Sequence, residues 1–328
     1  MINILVYGEQ TGLKGVPLSE LKKWDYNCEE KIWIDIYDTS SEESTRILSE
    51  IFGFHPLTIE DSLKYIQDSR IHHPKIDDFG DYLFIVFNGI LKDSSQSKIK
   101  YFSLSCFLGH NFLVTIHNEK PVNTIDTSIR NSINASTFRK GPDYLLHLIF
   151  DSIVDNYYPI LDDFEEKINT VEDVMFKDTS SNSLLVSILA LKKELIRLMR
   201  FSSYQKEVLF KLTRADSDLI STEESIYYRN VYDHLVRIAD ASESYRDYVT
   251  GVLESYLSIV NNRLNETMKF LTMVATIMLP MTFITGLFGM NFDHIPFLHS
   301  PLGFVISLVI MITIAGVMYF WFKKRKVI

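Results

Sequence analysis

The most extended apolar pattern of the chain lies near its C-terminal end. No charged residue stands between Lys269 and Asp293. The roughly 23 positions between them, as a helix that rises about 1.5 Å per residue, are enough to cross a hydrocarbon core of about 30 Å. A second apolar run covers 302–322. The pattern predicts two membrane-spanning helices, at 269–291 and at 302–322, joined by a short outside loop at 292–301.

The first of these spans is not uniformly apolar. Small or polar residues interrupt the large ones, namely Thr272, Ala275, Thr276, Thr282, Thr285, Gly286 and Gly289. Small residues let helices approach each other closely inside a bilayer, so this composition indicates a helix packed against copies of itself. Pro280 lies in its middle and is tolerated where neighbouring groups or water satisfy the freed carbonyl.

The N-terminal part of the chain shows a different period. Apolar and polar residues alternate in several segments up to about residue 140, which is typical of strands, and helical segments lie between them. Strands are expected at 2–6, at 31–37, within 81–88, at 101–108 and at 111–117, and helices at 41–52 and 58–65. Gly109 and His110 separate the last two strands and predict a hairpin. We interpret residues 1–142 as one cytosolic α/β domain.

From residue 143 onward the apolar positions recur with the helical period. Residues 143–222 are predicted to form paired amphipathic helices, the first over 143–176 with a kink or a division at Pro159, the second over 183–211. The polar side of the first helix is acidic and carries Asp151, Asp155, Asp162, Glu165 and Glu166. We interpret it as a solvated face, and an acidic collar that attracts cations is the alternative.

A long stalk helix is expected to follow. Ser221 and Thr222 are candidate N-caps before Glu223 and Glu224, and no proline then occurs until Pro280. The stalk, 223–268, is therefore predicted to continue without a break into the first membrane span.

Charge and cysteine usage narrow the function. The net charge of −9 argues against a nucleic-acid partner, because no basic face is present. Cys28 and Cys106 lie far apart without a CxxC spacing, so we expect two buried thiols in a reducing compartment rather than a disulfide or a metal site. The sequence contains no glycine-rich phosphate loop, HExxH or nucleophile elbow. It therefore predicts neither an enzyme nor an organic cofactor.

Basic residues set the expected orientation in the membrane. Lys323, Lys324, Arg325 and Lys326 follow the second span within the tail 323–328, and the connector between the spans has no Lys or Arg. Basic residues flanking membrane helices favour the cytoplasmic side. We therefore expect a two-pass protein of the inner or plasma membrane, in contact with lipid, with both termini in the cytoplasm.

A line of regularly spaced residues runs along the first span. Backwards from Gly289 its members are Gly286, Thr282, Leu279, Ala275, Leu271, Met268 and Asn265. The mean spacing of about 3.4 residues is close to the 3.5 of a left-handed helix bundle. An ordinary packing seam is one interpretation. The amides at its ends, Asn265 and Asn291, favour a pore, since polar rings at the mouths and apolar constrictions between them build selectivity and gating in channels.

The end of this span resembles a known family. Gly289-Met290-Asn291 closes a penultimate membrane helix and is followed by a short acidic loop, a last helix and a basic tail, as in the CorA family of magnesium transporters. Further segments similar to that family are WID at 33–35, HPLTIED at 55–61, PKI at 74–76, YLFIV at 82–86, YRNVYDH at 228–234 and the stretch 276–291. The resemblance thus extends across the chain.

The resemblance implies a funnel-shaped homopentameric channel whose first membrane helix, continuous with the stalk, lines the pore. Gly289, Met290 and Asn291 would form the selectivity filter, and the Asn291 ring would meet hydrated Mg²⁺, which gives up its water reluctantly. Asp293 would add an acidic ring at the mouth. Met268, Leu271 and Leu279 would form an apolar gate, with Asn265 and Thr282 also lining the pore, Glu254 as a stalk acid, and Lys323, Lys324, Arg325 and Lys326 as part of a basic collar.

A regulatory site is implied by the same resemblance. Relatives place a Mg²⁺ sensor between an acid of the sheet domain and an acid on the stalk helix of the neighbouring subunit. Asp93 corresponds to the first acid, whereas the second position falls on Asn230, which is neutral, with Asp233 one turn on as a substitute. The resemblance therefore implies a weakened inhibitory site.

Three functions remain open from the sequence. The leading interpretation is a Mg²⁺ channel that tolerates Co²⁺ or Ni²⁺, because no Cys or His lines the expected pore. A Zn²⁺ transporter of the same superfamily is the first alternative. A cytosolic sensor or enzyme anchored by two membrane helices is the second.

Overall fold

The structure, a computed structural model, describes residues 1–21, 28–67, 73–92, 99–117, 133–177, 182–214, 217–290 and 301–325. The chain is divided into two units. The first contains Met1–Asp173 and Ser183–Thr250, and the second contains Val174–Asn182 and Gly251–Ile328.

The first unit is built on a seven-stranded sheet. In chain order the strands are β1 (Ile2–Gly8), β2 (Gly12–Gly15), β3 (Lys31–Tyr37), β4 (Lys75–Asp78), β5 (Leu83–Lys92), β6 (Ile99–Leu108) and β7 (Phe112–His117). Their order in the sheet is β2-β1-β3-β7-β6-β5-β4. All neighbours are antiparallel except β3 and β7, which run parallel with Ile34 opposite Val114. Every strand expected from the sequence is present, and β2 and β4 are additional.

Helices cover both faces of this sheet. They are α1 (Leu18–Leu21), α2 (Ser41–Arg46) with a π-helical continuation at Ile47–Ile51, α3 (Pro56–Gln67), α4 (Ala135–Lys140) and α5 (Pro142–Asp155). On one face the core joins Leu48 and Ile59 to Ile34 and Val114. On the other face the ring of Phe150 from α5 stacks on Phe87 with centroids 4.1 Å apart.

Apolar and polar residues alternate in β3, but neither face of this strand is exposed to solvent, because helices cover both faces of the sheet. Asp35 is only 4% exposed. Its Oδ1 accepts a hydrogen bond from Thr115 Oγ1 at 2.7 Å and lies 3.1 Å from Nε2 of His117. The indole of Trp33 in turn donates to Thr115 Oγ1 at 3.0 Å. The buried polar residues Asp35 of β3 and Thr115 and His117 of β7 are thus paired in one hydrogen-bonded network.

The hairpin expected at Gly109 is confirmed. The amide of Gly109 donates to Phe112 O at 2.9 Å, and a Cβ at position 109 would lie 2.1 Å from the Phe112 ring. Only glycine fits this close approach. Of the two thiols expected to be buried, Cys106 is buried, whereas Cys28 is only half-buried. Both are free.

Two further helices follow α5. They are α6 (Tyr158–Lys177) and α7 (Asn182–Thr213), so the expected first helix is divided just before Pro159. The acidic side lies in solvent at Asp155, Asp162, Glu165 and Glu166, whereas Asp151 is half-buried. The solvated-face interpretation therefore holds for four of the five acids.

The last two helices are α8 (Thr222–Phe288), 67 residues long, and α9 (Pro301–Lys324). Ser221 caps α8, because its Oγ accepts a hydrogen bond from the Glu224 amide at 3.2 Å. The Ser221 amide donates to Asp143 Oδ2 at 3.1 Å. The α/β domain, the long helix and the two C-terminal apolar helices predicted from the sequence are thus confirmed.

Candidate functional site

The expected pore positions lie on one uninterrupted helix. A helix turns by about 100° per residue. Four of the expected pore residues therefore lie within about 80° of the circumference of α8, namely Met268, Leu271, Leu279 and Thr282. Asn265 lies about 40° beyond that arc. The exposed fractions of Met268, Leu271 and Leu279 are 54%, 61% and 71%. Side chains this apolar and this exposed on one chain indicate that lipid or further chains cover them.

Two threonine hydroxyls of the expected first span are satisfied within α8 itself. Thr282 Oγ1 donates to Met278 O at 2.9 Å, and Thr276 Oγ1 donates to Thr272 O at 2.6 Å. Pro280 lies inside α8 without ending it, although it removes the amide that would pair with the carbonyl of Thr276. The hydroxyl oxygen of Thr282 still has acceptor capacity, which suits contact with a hydrated cation.

The tripeptide expected to form the filter begins where α8 ends. The amide of Gly289 donates to Thr285 O at 2.9 Å, and the amide of Met290 lies 3.4 Å from Leu287 O. A Cβ at position 289 would lie 3.0 Å from Thr285 O, so glycine allows the backbone to turn close to that carbonyl. Asn291 is outside the described residues, and so are Asp293 and the rest of the connector up to residue 300.

A cavity of about 520 Å³ lies beside the cytosolic end of the expected first span. It is lined by Asn262, Asn265, Glu266, Met268, Lys269, Thr272 and Met273 of α8 and by Phe322 of α9. Two of the expected pore residues, Asn265 and Met268, therefore border the space between the two apolar helices of a single chain.

Both apolar helices have the exposure expected in a membrane. Each is long and apolar enough to cross a bilayer. In the most apolar 18-residue stretch of α8, 0% of the residues are buried, and in that of α9, 6% are buried. A core helix of a soluble protein would be mostly buried. Lys323, Lys324 and Arg325 are exposed at the end of α9, with the Arg325 guanidinium 5.6 Å from the Trp321 ring centroid. Lys326 lies outside the described residues.

The stalk and regulatory candidates within the described residues all lie on the surface of α8. Glu254, Asn230 and Asp233 are each exposed on α8, and Asp93 lies outside the described residues. The structure instead brings together Asp151, Asp155 and His234, whose ligand atoms lie within 4.8 Å of one another.

Sequence reasoning missed this group, although one signal was present. Asp151 and Asp155 are spaced i, i+4 and so share a helix face, but nothing in the pattern pairs that face with His234. Burial, followed by the charge of Asp155, raises the pKa of Asp151, and His234 opposes that shift. The carboxyl of Asp151 is thus held where its charge is disfavoured.

Comparison with known proteins decides the family. The profile described as "CorA-like Mg2+ transporter protein" matches residues 29–324, which is most of the chain. The protein belongs to the CorA family. CorA-family proteins are membrane transporters of divalent cations and not enzymes, and Mg²⁺ is the transported ion of the family.

Three proteins similar to this chain have names that mention different cations. The cobalt/magnesium transport protein CorA of Thermotoga maritima is 36% identical over 90% of this chain and 82% of its own length. The zinc transport protein ZntB of Yersinia pestis is 25% identical over 77% of this chain and 76% of its own. The complete structure of the CorA magnesium transporter from Methanocaldococcus jannaschii matches with a TM-score of 0.81 at 24% identity, covering 98% of this chain and 97% of that one.

Proposed function

We propose that this CorA-family protein conducts Mg²⁺ across the inner or plasma membrane, down its electrochemical gradient, through a homopentameric, funnel-shaped pore. The observation that carries the proposal is α8 itself. One unbroken helix, Thr222–Phe288, carries a line of exposed apolar and small residues and leads directly into Gly289 and Met290. Five copies of such a helix would cover these side chains and enclose a narrow path.

The chemistry of the pore follows from the residues at its two ends. The Asn291 ring would hold the water shell of Mg²⁺ with amide oxygens, which suits an ion that dehydrates reluctantly. Asp293 would raise the local cation concentration. Met268, Leu271 and Leu279 would form an apolar constriction that closes by losing its water.

The cytosolic groups would act on the same path. Glu254 would face the stalk interior as an acidic site, and the basic residues that end α9 would form a collar around the cytosolic opening. Both termini would lie in the cytoplasm, because the basic tail favours that side.

We further propose that closure by cytosolic Mg²⁺ is weak. A regulatory ion must bind the closed state better than the open one, and Asn230 supplies no charge to a site completed by Asp93 or Asp233. Asn230→Asp should then move Mg²⁺-dependent protection of the cytosolic part from protease to lower Mg²⁺ concentration. Protection of the Asn230 protein at submillimolar Mg²⁺ that persists in Asp93→Ala would remove Asp93 from this role.

Transport in liposomes tests the main proposal. Purified protein is reconstituted with a Mg²⁺-sensitive dye inside, and wild type is compared with Asn291→Ala after gel filtration has shown equal assembly. We expect Mg²⁺ influx that a pH gradient does not change, and its loss in Asn291→Ala.

Two outcomes would contradict it. Near-wild-type influx through Asn291→Ala would remove the filter assignment. Influx of Zn²⁺ without influx of Mg²⁺ would instead support the zinc alternative, which the similarity to ZntB keeps open.

A further inference from the structure

A row of basic residues lies along one side of α7, in the first unit and away from every expected pore position. This basic row consists of Lys193, Arg197 and Arg200, whose spacing of four and then three residues places them on one face of the helix. All three side chains are exposed, and none forms an ion pair with a carboxylate of the described residues. Three neighbouring cations thus repel one another without a counter-ion, in a chain whose net charge is −9.

The basic row lines a single cavity of about 480 Å³. This volume lies within the range of about 300–1,000 Å³ that is typical of sites for small molecules. No carboxylate is among the described residues of its wall, so the potential inside the cavity is positive and favours an anion. Besides the basic row, the wall is formed by His73, Ile196, Phe201 and Tyr204.

Two aromatic rings continue the basic row at one end of the cavity. Tyr204 follows Arg200 by one helical turn, and the ring of His73 lies against it with centroids 4.2 Å apart. Nδ1 of His73 lies 3.0 Å from Pro74 O, which restricts the orientation of the imidazole. Both rings are exposed. Exposed aromatic faces beside cations are the surfaces on which proteins stack the bases of nucleotides.

We propose that this cavity binds a nucleoside polyphosphate, with its phosphates on the basic row and its base against His73 and Tyr204. A guanidinium group suits phosphate, because its planar fork donates two parallel hydrogen bonds to the phosphate oxygens. The guanidinium of Arg197 lies 5.3 Å from the Tyr101 ring centroid, and this cation–π contact orients it. The row extends over about 10 Å at about 1.5 Å per residue, which favours several linked phosphates over one. The site does not depend on the pore assignment.

Equilibrium dialysis of the full-length protein in detergent against radiolabelled ATP tests this proposal. The buffer contains EDTA, so that no divalent cation can hold the nucleotide on an acidic surface. Wild type is compared with Arg197→Gln, Arg200→Gln and Tyr204→Leu, and tripolyphosphate serves as a competitor that has no base. The control is Lys192→Gln, which removes a positive charge from the same helix at a residue that does not line the cavity.

We expect one ATP per chain in wild type and in the control, and binding at least about tenfold weaker in each arginine variant, because charge-assisted hydrogen bonds are lost. Tyr204→Leu should weaken the binding of ATP but not of tripolyphosphate, since only ATP has a base to stack. All three substituted cavity residues are exposed, so these variants should fold. Equal ATP binding in wild type and both arginine variants, or no saturable binding at millimolar ATP, would overturn the proposal. Equal losses of ATP and tripolyphosphate in Tyr204→Leu would overturn the placement of the base.

Discussion

A buried hydrogen bond between Tyr157 and Gln205 allows a quantitative test of the packing of the first unit. Gln205 Nε2 donates to the Tyr157 hydroxyl at 2.6 Å, and both side chains are 0% exposed. This hydrogen bond connects the turn that contains Tyr157, between α5 and α6, with Gln205 of α7. Gln205 Oε1, in contrast, has no partner within the described residues. Burial raises the pKa of Tyr157 well above its usual value, so the hydroxyl stays neutral at any working pH.

The two single substitutions should therefore differ. Tyr157→Phe leaves both polar atoms of the Gln205 amide unpaired, and a buried group left without its partner costs about 1–3 kcal/mol. Gln205→Leu leaves the Tyr157 hydroxyl unpaired but also removes the carbonyl that was already unpaired, so its net effect should be smaller. The double variant removes every unpaired group and should be close to wild type, since replacing both partners by apolar groups can be nearly neutral.

Thermal unfolding of a fragment spanning 1–250, followed by far-ultraviolet circular dichroism, measures these differences. For a domain of 150–250 residues, 1 kcal/mol shifts Tm by about 2–4 °C, so about 2 kcal/mol in Tyr157→Phe should lower Tm by about 4–8 °C. Tyr204→Phe, at a ring that is 38% exposed, is the matched control and should change little. The reasoning is refuted by a double variant whose loss equals the sum of the single losses, because the two groups would then not be coupled.

Three further predictions concern transport and pH. Gly289→Ala should slow Mg²⁺ uptake, because its Cβ would lie 3.0 Å from Thr285 O. Gly316→Ala should not, because its Cβ meets nothing within 4 Å outside the neighbouring backbone of its own helix; equal initial rates in the two variants would contradict this. Leu279→Ser should increase leak, because a polar side chain wets an apolar constriction; conductance no higher than wild type at high internal Mg²⁺ would remove Leu279 from the gate. Burial, and then the charge of Lys140, lowers the pKa of His147 from 6.5 to about 4. The unfolded chain therefore takes up a proton first, and the free energy of unfolding falls by up to about 3–4 kcal/mol as pH drops from about 6.5 to about 4. His147→Asn should lose that part of the pH dependence in urea unfolding measured at several pH values, and an unchanged profile would show that His147 does not titrate this way.

Features that depend on neighbouring residues could be predicted from the sequence. An apolar run without charge specifies a span. Helical periodicity without proline from residue 223 to residue 279 specifies a long helix, so α8 and α9 were expected at nearly their observed bounds. The hairpin at Gly109 was expected for the same reason, since β6 and β7 are joined by a short turn. The end of α8 before Gly289-Met290 could also be predicted, because these residues belong to a local motif.

Features that depend on distant parts of the chain were decided only by the tertiary structure. The parallel pairing of β3 with β7 joins strands about 80 positions apart, and no local pattern specifies it. The short strands β2 and β4 were missed because four residues carry too little periodicity to stand out. The burial of Asp35 likewise required helices on both faces of the sheet, which alternation within β3 does not reveal.

The metal-capable group shows the same division most clearly. The spacing of Asp151 and Asp155 on one helix face is a local property and could be read from the sequence, where it suggested an acidic, solvated surface. The approach of His234 depends on how α8 packs against α5, which side-chain packing over many residues determines. Periodicity indicates which side of a helix is apolar, but it does not indicate which helix lies opposite. Only the folded chain therefore brings the imidazole of His234 close to these carboxylates.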